Sequence, residues 1–99
     1  MFDWDEANIG HIAEHGIEPI EAEEAVTYRP VFVQYLSRGG EDRFMQLGET
    51  LAGRVLVVVI TPRNGMTRVV TAYPASRAYR DFYAVERDAQ YGRGEENPS

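Results

Sequence analysis

Residues 55–60, with the sequence VLVVVI, constrain the fold more than any other segment of the chain. Six apolar residues follow one another here, and five of them are β-branched. The run is far too short to cross a membrane, and β-branched residues favour strands over helices. An unbroken apolar run of this kind is typical of a strand that is covered on both faces. It therefore predicts the central strand of a sheet in a single domain, as expected for 99 residues.

The residues before position 31 predict two short helices. Asp5 is placed to cap a first helix, and Gly16 has the position of the glycine that commonly ends one. Pro19 suits the first turn of a second helix, and Pro30 marks the place where that helix must already have ended. Apolar residues recur at helical spacing between these boundaries, so both helices have a face to bury.

After position 30 the apolar period changes from 3.6 to 2 residues, which predicts four strands. They span residues 31–36, 43–49, 54–61 and 66–73. Short connections require neighbouring strands to pair antiparallel. Ser76 is placed to cap a closing helix that runs to about Tyr91. The prediction is one α+β domain over residues 1–91, with helices that can cover one face of the sheet and leave the other partly open. Residues 92–99, rich in Gly, Glu and Pro, are predicted to be a disordered tail.

Composition excludes several classes of site. The chain has no cysteine, so it has no disulfide, no thiolate metal site and no cysteine nucleophile. It also lacks the Walker, GxGxxG and HExxH motifs, and no cofactor is predicted. The acidic N-terminus does not resemble a signal peptide, and no apolar run has the length of a membrane span. These features predict a cytoplasmic protein without membrane contact.

Charge is distributed unevenly along the chain. The net charge is −6, yet residues 1–27 contain eight acidic residues and no Lys or Arg, whereas residues 28–83 contain eight arginines against four acids. A basic middle therefore follows an acidic front. Arginine binds phosphate through planar, paired donors. An arginine-rich composition can equally result from GC-rich coding, without any role in binding.

His11 and His15 are four residues apart and fall on one side of the first predicted helix, with Asn8. Three interpretations stay open: structural hydrogen bonding, a metal site that lacks an evident third ligand, and a role in proton transfer or phosphate contact. Histidine is the natural acid–base candidate at neutral pH. Because His15 adjoins Gly16 at the helix end, we expect it to be structural.

Several arginines and tyrosines fall on or beside the predicted sheet. The arginines are Arg43, Arg54, Arg63, Arg68 and Arg77. They form either a solvated sheet face or a surface that binds phosphate groups. The six tyrosines of the chain are either core residues or groups that hold phosphates and stack on bases.

Four segments of the chain, in order, together resemble a known protein family. The first is Trp4-Asp5-Glu6-Ala7-Asn8 with His11 and His15-Gly16-Ile17. The second is Gly40-Glu41-Asp42-Arg43 with Gly48, which resembles a Gly-Glu-x-Arg segment. The third is Gly53-Arg54 followed by residues 57–61. The fourth is Arg68-Val69-Val70-Thr71-Ala72 with Ala75-Ser76-Arg77 and Tyr83. The ordered set resembles the BrnT toxin family over about residues 2–84. It departs at three positions, where the family usually has Lys near Ala7, Arg at Tyr73 and Glu at Tyr79.

This resemblance implies a RelE-like fold and a metal-independent endoribonuclease that inhibits translation. It implies RNA as substrate and a BrnA-like antitoxin with a ribbon-helix-helix part as partner, in a homodimer or a toxin–antitoxin heterotetramer. The alternative is a diverged, non-catalytic binding module that keeps only the partner surface, which the acidic front favours.

On the ribonuclease interpretation, matching positions supply the candidate site residues. His11 would act as acid or base, Arg43, Arg68 and Arg77 would hold the scissile phosphate, and Tyr83 would orient it. Arg54 and Tyr73 would bind other parts of the substrate. Odd or even residue numbers alone do not decide whether Arg43 and Arg68 lie on the same face of the sheet, because the register of the strands is unknown from sequence.

Overall fold

The computed structural model describes residues 1–92 and confirms the predicted α+β architecture. In chain order the elements are α1 (Glu6–Ala13), α2 (Pro19–Thr27), β1 (Val31–Arg38), β2 (Glu41–Glu49), β3 (Val55–Arg63), β4 (Met66–Pro74) and α3 (Arg77–Tyr91). The tail predicted for residues 92–99 lies outside the described residues except for Gly92. Within the described chain, no helix combines the length and apolar character that crossing a membrane requires.

The four strands form one antiparallel sheet in the order β1-β2-β3-β4. Strand β3, which contains the apolar run, has a neighbour on each side, and its residues 56–59 are all buried. This confirms the central strand. Helix α1 ends at Ala13, and a turn over residues 14–16 follows it. The chain leaves this turn at the predicted glycine, Gly16, whose φ of 75° is accessible to glycine without strain. The Gly16 and Ile17 amides donate to the Ala13 and Ile12 carbonyls, which closes the helix in a Schellman motif.

One face of the sheet is covered by α1 and α2. Its core consists of Ile12, Ile17, Ala22, Ala25, Leu56, Val58, Val69 and Ala72. Helix α2 approaches β2 so closely that a Cβ on Gly48 would lie 1.8 Å from the Ala25 carbonyl oxygen. The position therefore requires glycine, because the obstacle is backbone and not a movable side chain.

The other face is covered by α3. Tyr83 and Ala75 pack there against Val31, Leu47 and Val57. The expectation that all three helices lie on one face is thus wrong. The odd-numbered residues of β2 and β3 are as apolar as the even-numbered ones, so each face needs its own cover. Because α3 contacts β1 and β2, it covers only part of its face.

The outer edge of β4 is occupied by the N-terminal segment. The Asp3 amide donates to the Thr67 carbonyl at 2.9 Å, and the Thr67 amide donates to the Met1 carbonyl at 2.8 Å. The buried Asn8 side chain then donates to the Val69 carbonyl at 3.2 Å. These bonds hold α1 along β4, and β1 is left as the other edge of the sheet.

Gly48→Ala is expected to lower the free energy of unfolding by about 3 kcal/mol, because the new methyl group overlaps the α2 backbone. Urea denaturation measures this change. Gly10→Ala is the matched control: Gly10 lies in α1 with open space where a Cβ would be, so this change should stabilise by about 0.5 kcal/mol. Equal stabilities for the Gly48→Ala variant and the wild type would contradict the packing described.

Candidate active site

A cleft of about 200 Å³ opens at the end of the sheet where β2 and β4 begin and β3 ends. Helix α1 contributes one wall, and three neighbouring strands contribute the floor. The lining residues are Ala7, Asn8, His11, Glu41, Arg43, Thr61, Arg68, Val69 and Val70. Three residues predicted for catalysis, His11, Arg43 and Arg68, therefore meet in one place although they come from α1, β2 and β4.

The strand register brings the two arginines together. Thr61 pairs with Arg68, and Phe44 pairs with Ile60, so Arg43 lies beside Thr61. Arg43, Thr61 and Arg68 consequently form a row across the sheet. Side chains alternate along a strand, which puts Arg43 on the same face as Leu47. This is the face that α3 covers at the opposite end of the strands.

His11 stands at the rim of the cleft with an exposed side chain. Its Nε2 lies 3.0 Å from the Thr71 hydroxyl oxygen, a contact in which the ring nitrogen donates or accepts according to its tautomer. The His15 ring meets the His11 ring edge-on at 5.4 Å between centroids and the Tyr73 ring at 5.9 Å. Of these three rings, only that of His11 lines the cleft. Within residues 1–92, no three His, Cys, Asp or Glu side chains are grouped as metal ligands would be.

Arg68 joins the cleft to the N-terminal segment. Its guanidinium lies 3.1 and 3.2 Å from the two Asp5 carboxylate oxygens and 3.6 Å from Asp3. Nη1 is buried and lies near both carboxylates without a well-directed hydrogen bond, so its contribution is electrostatic. Asp5 also caps α1 by accepting from the Asn8 amide. Hydrogen bonds from Arg68 and then from Asn8 lower the pKa of the Asp5 carboxyl.

Arg43 has a carboxylate partner within the cleft. Its Nε donates to Glu41 Oε1 at 2.7 Å, and its side chain is 29% exposed against 15% for Arg68. Sequence reasoning missed Glu41 as a site residue, although a signal was available: residues two apart in a strand face the same way. No sequence signal marked Thr71 as a site residue, because its contact with His11 depends on how α1 lies along β4.

Two other predicted site residues lie away from the cleft. Arg54 precedes β3 at the end opposite Thr61, roughly 20 Å along the strand, and donates to Glu21 at 2.7 Å. Arg77 is exposed at the start of α3, beyond the end of β4 that is remote from Arg68, again roughly 20 Å away. The structure therefore brings neither of them to His11.

The two predicted tyrosines differ in their surroundings. Tyr83 belongs to α3 and is buried between this helix and the sheet, and its hydroxyl lies 3.0 Å from the Arg29 carbonyl oxygen and 3.1 Å from the Glu49 carboxylate. Burial, followed by the Glu49 charge, raises the pKa of this hydroxyl. Glu49 ends β2, whereas the cleft lies where β2 begins. Tyr73 is half-buried and contacts the His15 ring, so it is the closer of the two to the cleft.

Asp5→Asn is expected to lower the melting temperature at pH 7, because asparagine keeps the helix cap but loses the charge that pairs with Arg68. The folded state lowers the pKa of Asp5, so the pair stabilises above the ordinary aspartate pKa of about 3.9 and loses this effect as the pH falls below it. The difference from the wild type should therefore shrink at pH 3. Asp81→Asn, at an exposed position of α3, is the control. A loss of equal size at both pH values would contradict the ion pair.

Comparison with known proteins identifies the family of the chain. No curated protein matches the chain. The family described as "Ribonuclease toxin, BrnT, of type II toxin-antitoxin system" matches residues 4–78, which is well over half of the chain and includes every residue that lines the cleft. The protein therefore belongs to the BrnT family of ribonuclease toxins from type II toxin–antitoxin systems.

Proposed function

We propose that this protein cleaves RNA in the cleft at the start of β2 and β4, without a metal ion, and thereby inhibits translation. The observation that supports this most is the convergence of His11, Arg43 and Arg68 from three separate elements on one concave surface. Family membership supplies the reaction class.

Cleavage of RNA by its own 2′-hydroxyl requires only groups of these types. The hydroxyl attacks the neighbouring phosphate, the 5′-oxygen leaves, and negative charge increases on the phosphate oxygens. A side chain such as histidine transfers protons, and arginines stabilise the developing charge. His11 would take part in proton transfer, while Arg43 and Arg68 would hold the phosphate. The products are a 2′,3′-cyclic phosphate and a free 5′-hydroxyl.

The alternative is a binding module that has lost catalysis, and one observation favours it. Both cleft arginines already have carboxylate partners, Asp5 with Asp3 for Arg68 and Glu41 for Arg43. RNA would have to compete with these acids for the guanidinium groups. Ala7, where the family usually has a lysine, lines the cleft and supplies no charge of its own.

A type II toxin has an antitoxin partner. We propose a BrnA-like ribbon-helix-helix protein that brings two toxins together in a heterotetramer. The acidic residues of α2 are largely engaged within the chain: Glu21 with Arg54, Glu23 with the Trp4 indole and Glu24 with the Leu51 amide. Exposed acids such as Glu6 and Glu14 remain to attract a basic partner surface.

His11→Ala is expected to reduce RNA cleavage at least about a hundredfold, because a proton-transfer group is lost. Cleavage of a defined RNA is measured with EDTA present, and cell-free translation is measured in parallel. His15→Ala is the matched control: it removes the neighbouring ring of the same helix and should retain cleavage. Arg77→Ala, which changes an arginine far from the cleft, should also retain it.

The wild type decides between the two functions. If the purified, antitoxin-free protein neither cleaves RNA nor inhibits translation, the binding module is the correct function. Cleavage that requires added metal would contradict the metal-independent mechanism alone.

Co-expression with the adjacent gene is expected to yield a complex of two toxins and two antitoxins by native mass spectrometry. The complex should not cleave RNA until the antitoxin is removed. Reversal of exposed charges by Glu6→Lys and Glu14→Lys should weaken the complex, and the effect should decrease at high salt, because exposed charges are screened. Unchanged affinity would exclude the acidic surface as the docking site.

A further inference from the structure

We propose that Glu41 is the general base of this cleavage and that His11 is the general acid. The inference rests on the proposed function and names a further catalytic residue within the same cleft. Glu41 is the first residue of β2, lines the cleft and faces the same way as Arg43.

The carboxylates of the other acidic residues near the cleft already have partners within the chain. Asp5 caps α1 and holds Arg68, and Asp3 lies within ion-pair distance of Arg68 as well. Asp42 follows Glu41 in β2 and therefore faces the other way, where its carboxylate accepts from the Tyr35 hydroxyl at 2.6 Å. Glu41 is thus the acid of this region whose carboxylate is available to a substrate.

One of the two carboxylate oxygens of Glu41 is available to a substrate. Its Oε1 accepts from Arg43 Nε, and within residues 1–92 its Oε2 has no hydrogen-bond partner. The side chain is 42% exposed, so a ribose hydroxyl can reach it. An ionised carboxylate accepts protons and donates none, which suits a base. Its bond to Arg43 also orients a guanidinium that would hold the phosphate.

The strand order separates Glu41 from His11. Strands β2 and β4 lie on either side of β3, roughly 10 Å apart, and α1 with His11 lies along β4. The register also offsets them along the strands: Glu41 lies two residues before Arg43 in β2, whereas His11 contacts Thr71, three residues after Arg68 in β4. Glu41 and His11 therefore line the cleft from opposite sides of the row formed by Arg43, Thr61 and Arg68. A displacement at phosphorus needs this arrangement, because the attacking and leaving oxygens lie on opposite sides of the phosphorus atom.

The reaction balances with these two groups. Glu41 removes the proton of the 2′-hydroxyl as the bond from O2′ to phosphorus forms. The bond from phosphorus to O5′ breaks, and protonated His11 gives its proton to O5′. Glu41 ends protonated and His11 neutral, and exchange with water restores both. No oxidant, reductant or metal enters the step.

An RNA in which sulfur replaces the bridging 5′-oxygen separates the two roles, because a thiolate leaves without a proton. On ordinary RNA, both Glu41→Gln and His11→Ala should lose at least about a hundredfold in rate. On the sulfur-bridged RNA, His11→Ala should recover to within about tenfold of the wild type, whereas Glu41→Gln should stay slow. Asp42→Asn, which changes the adjacent acid on the other face, should match the wild type on both substrates.

A double variant distinguishes a base from a residue that merely orients Arg43. If Glu41 acts as the base, Glu41→Gln should slow the Arg43→Ala enzyme further. If it acts only through Arg43, the double variant will match Arg43→Ala, and the proposal is overturned. Glu41→Asp keeps a carboxylate in a shorter side chain and should retain more activity than Glu41→Gln, and melting temperatures verify that each variant is folded.

Three other outcomes would also overturn the proposal. Glu41→Gln with wild-type rates on ordinary RNA removes Glu41 from catalysis and leaves the ribonuclease function intact. Recovery of Glu41→Gln on the sulfur-bridged RNA would make Glu41 the acid instead. A wild type that cleaves neither RNA overturns the proposed function and this inference together.

Discussion

Burial of β3 on both faces is the constraint on which the rest of the structure depends. A strand with apolar residues at every position needs cover above and below, and the chain supplies it from both of its ends. Helices α1 and α2 precede the strands in the chain and cover one face of the sheet, and α3 follows the strands and covers the opposite face. Because α3 covers only part of that face, polar side chains at the other end of the strands stay accessible. The candidate site therefore lies on the part of this face that α3 leaves uncovered.

Attachment of α1 to the edge of β4 connects this architecture to chemistry. The Asn8 amide bonds to the Asp3 and Val69 carbonyls, and Asp5 pairs with Arg68. These contacts fix the helix that carries His11 relative to the strand that carries Arg68. The same carboxylates that position the arginine also neutralise much of its charge. At Arg68, the ion pairs that stabilise the fold therefore weaken the attraction of the guanidinium for phosphate. Arg43 is more exposed and has one carboxylate partner, so its attraction for phosphate is weakened less.

The helices and strands were predictable because local signals mark them. Asp5, Gly16 and Ser76 act through bonds within a few residues, and the change of apolar period is visible without tertiary structure. The site was predictable only in part. Whether Arg43 and Arg68 meet depends on strand register. The distance of Arg77 from Arg68 follows from the length of β4, which the predicted strand over residues 66–73 already implied. Tyr83 matched a family position, but the burial of its ring follows from packing that no motif describes.

The pairing of the N-terminal segment with β4 has a practical consequence for work on this protein. Met1 and Asp3 are bonded to Thr67, the residue that precedes Arg68. Affinity tags or fusion partners attached ahead of Met1 would begin at the edge of the sheet, within a residue or two of the contacts that position the cleft. A fusion at that end is expected to disturb the contacts that position Arg68, so inactivity of a tagged preparation does not establish that the untagged chain is inactive. The other end of the described chain follows α3, whose main contacts with the sheet are with β1 and β2, so a fusion partner at that end does not begin at the Thr67 contacts.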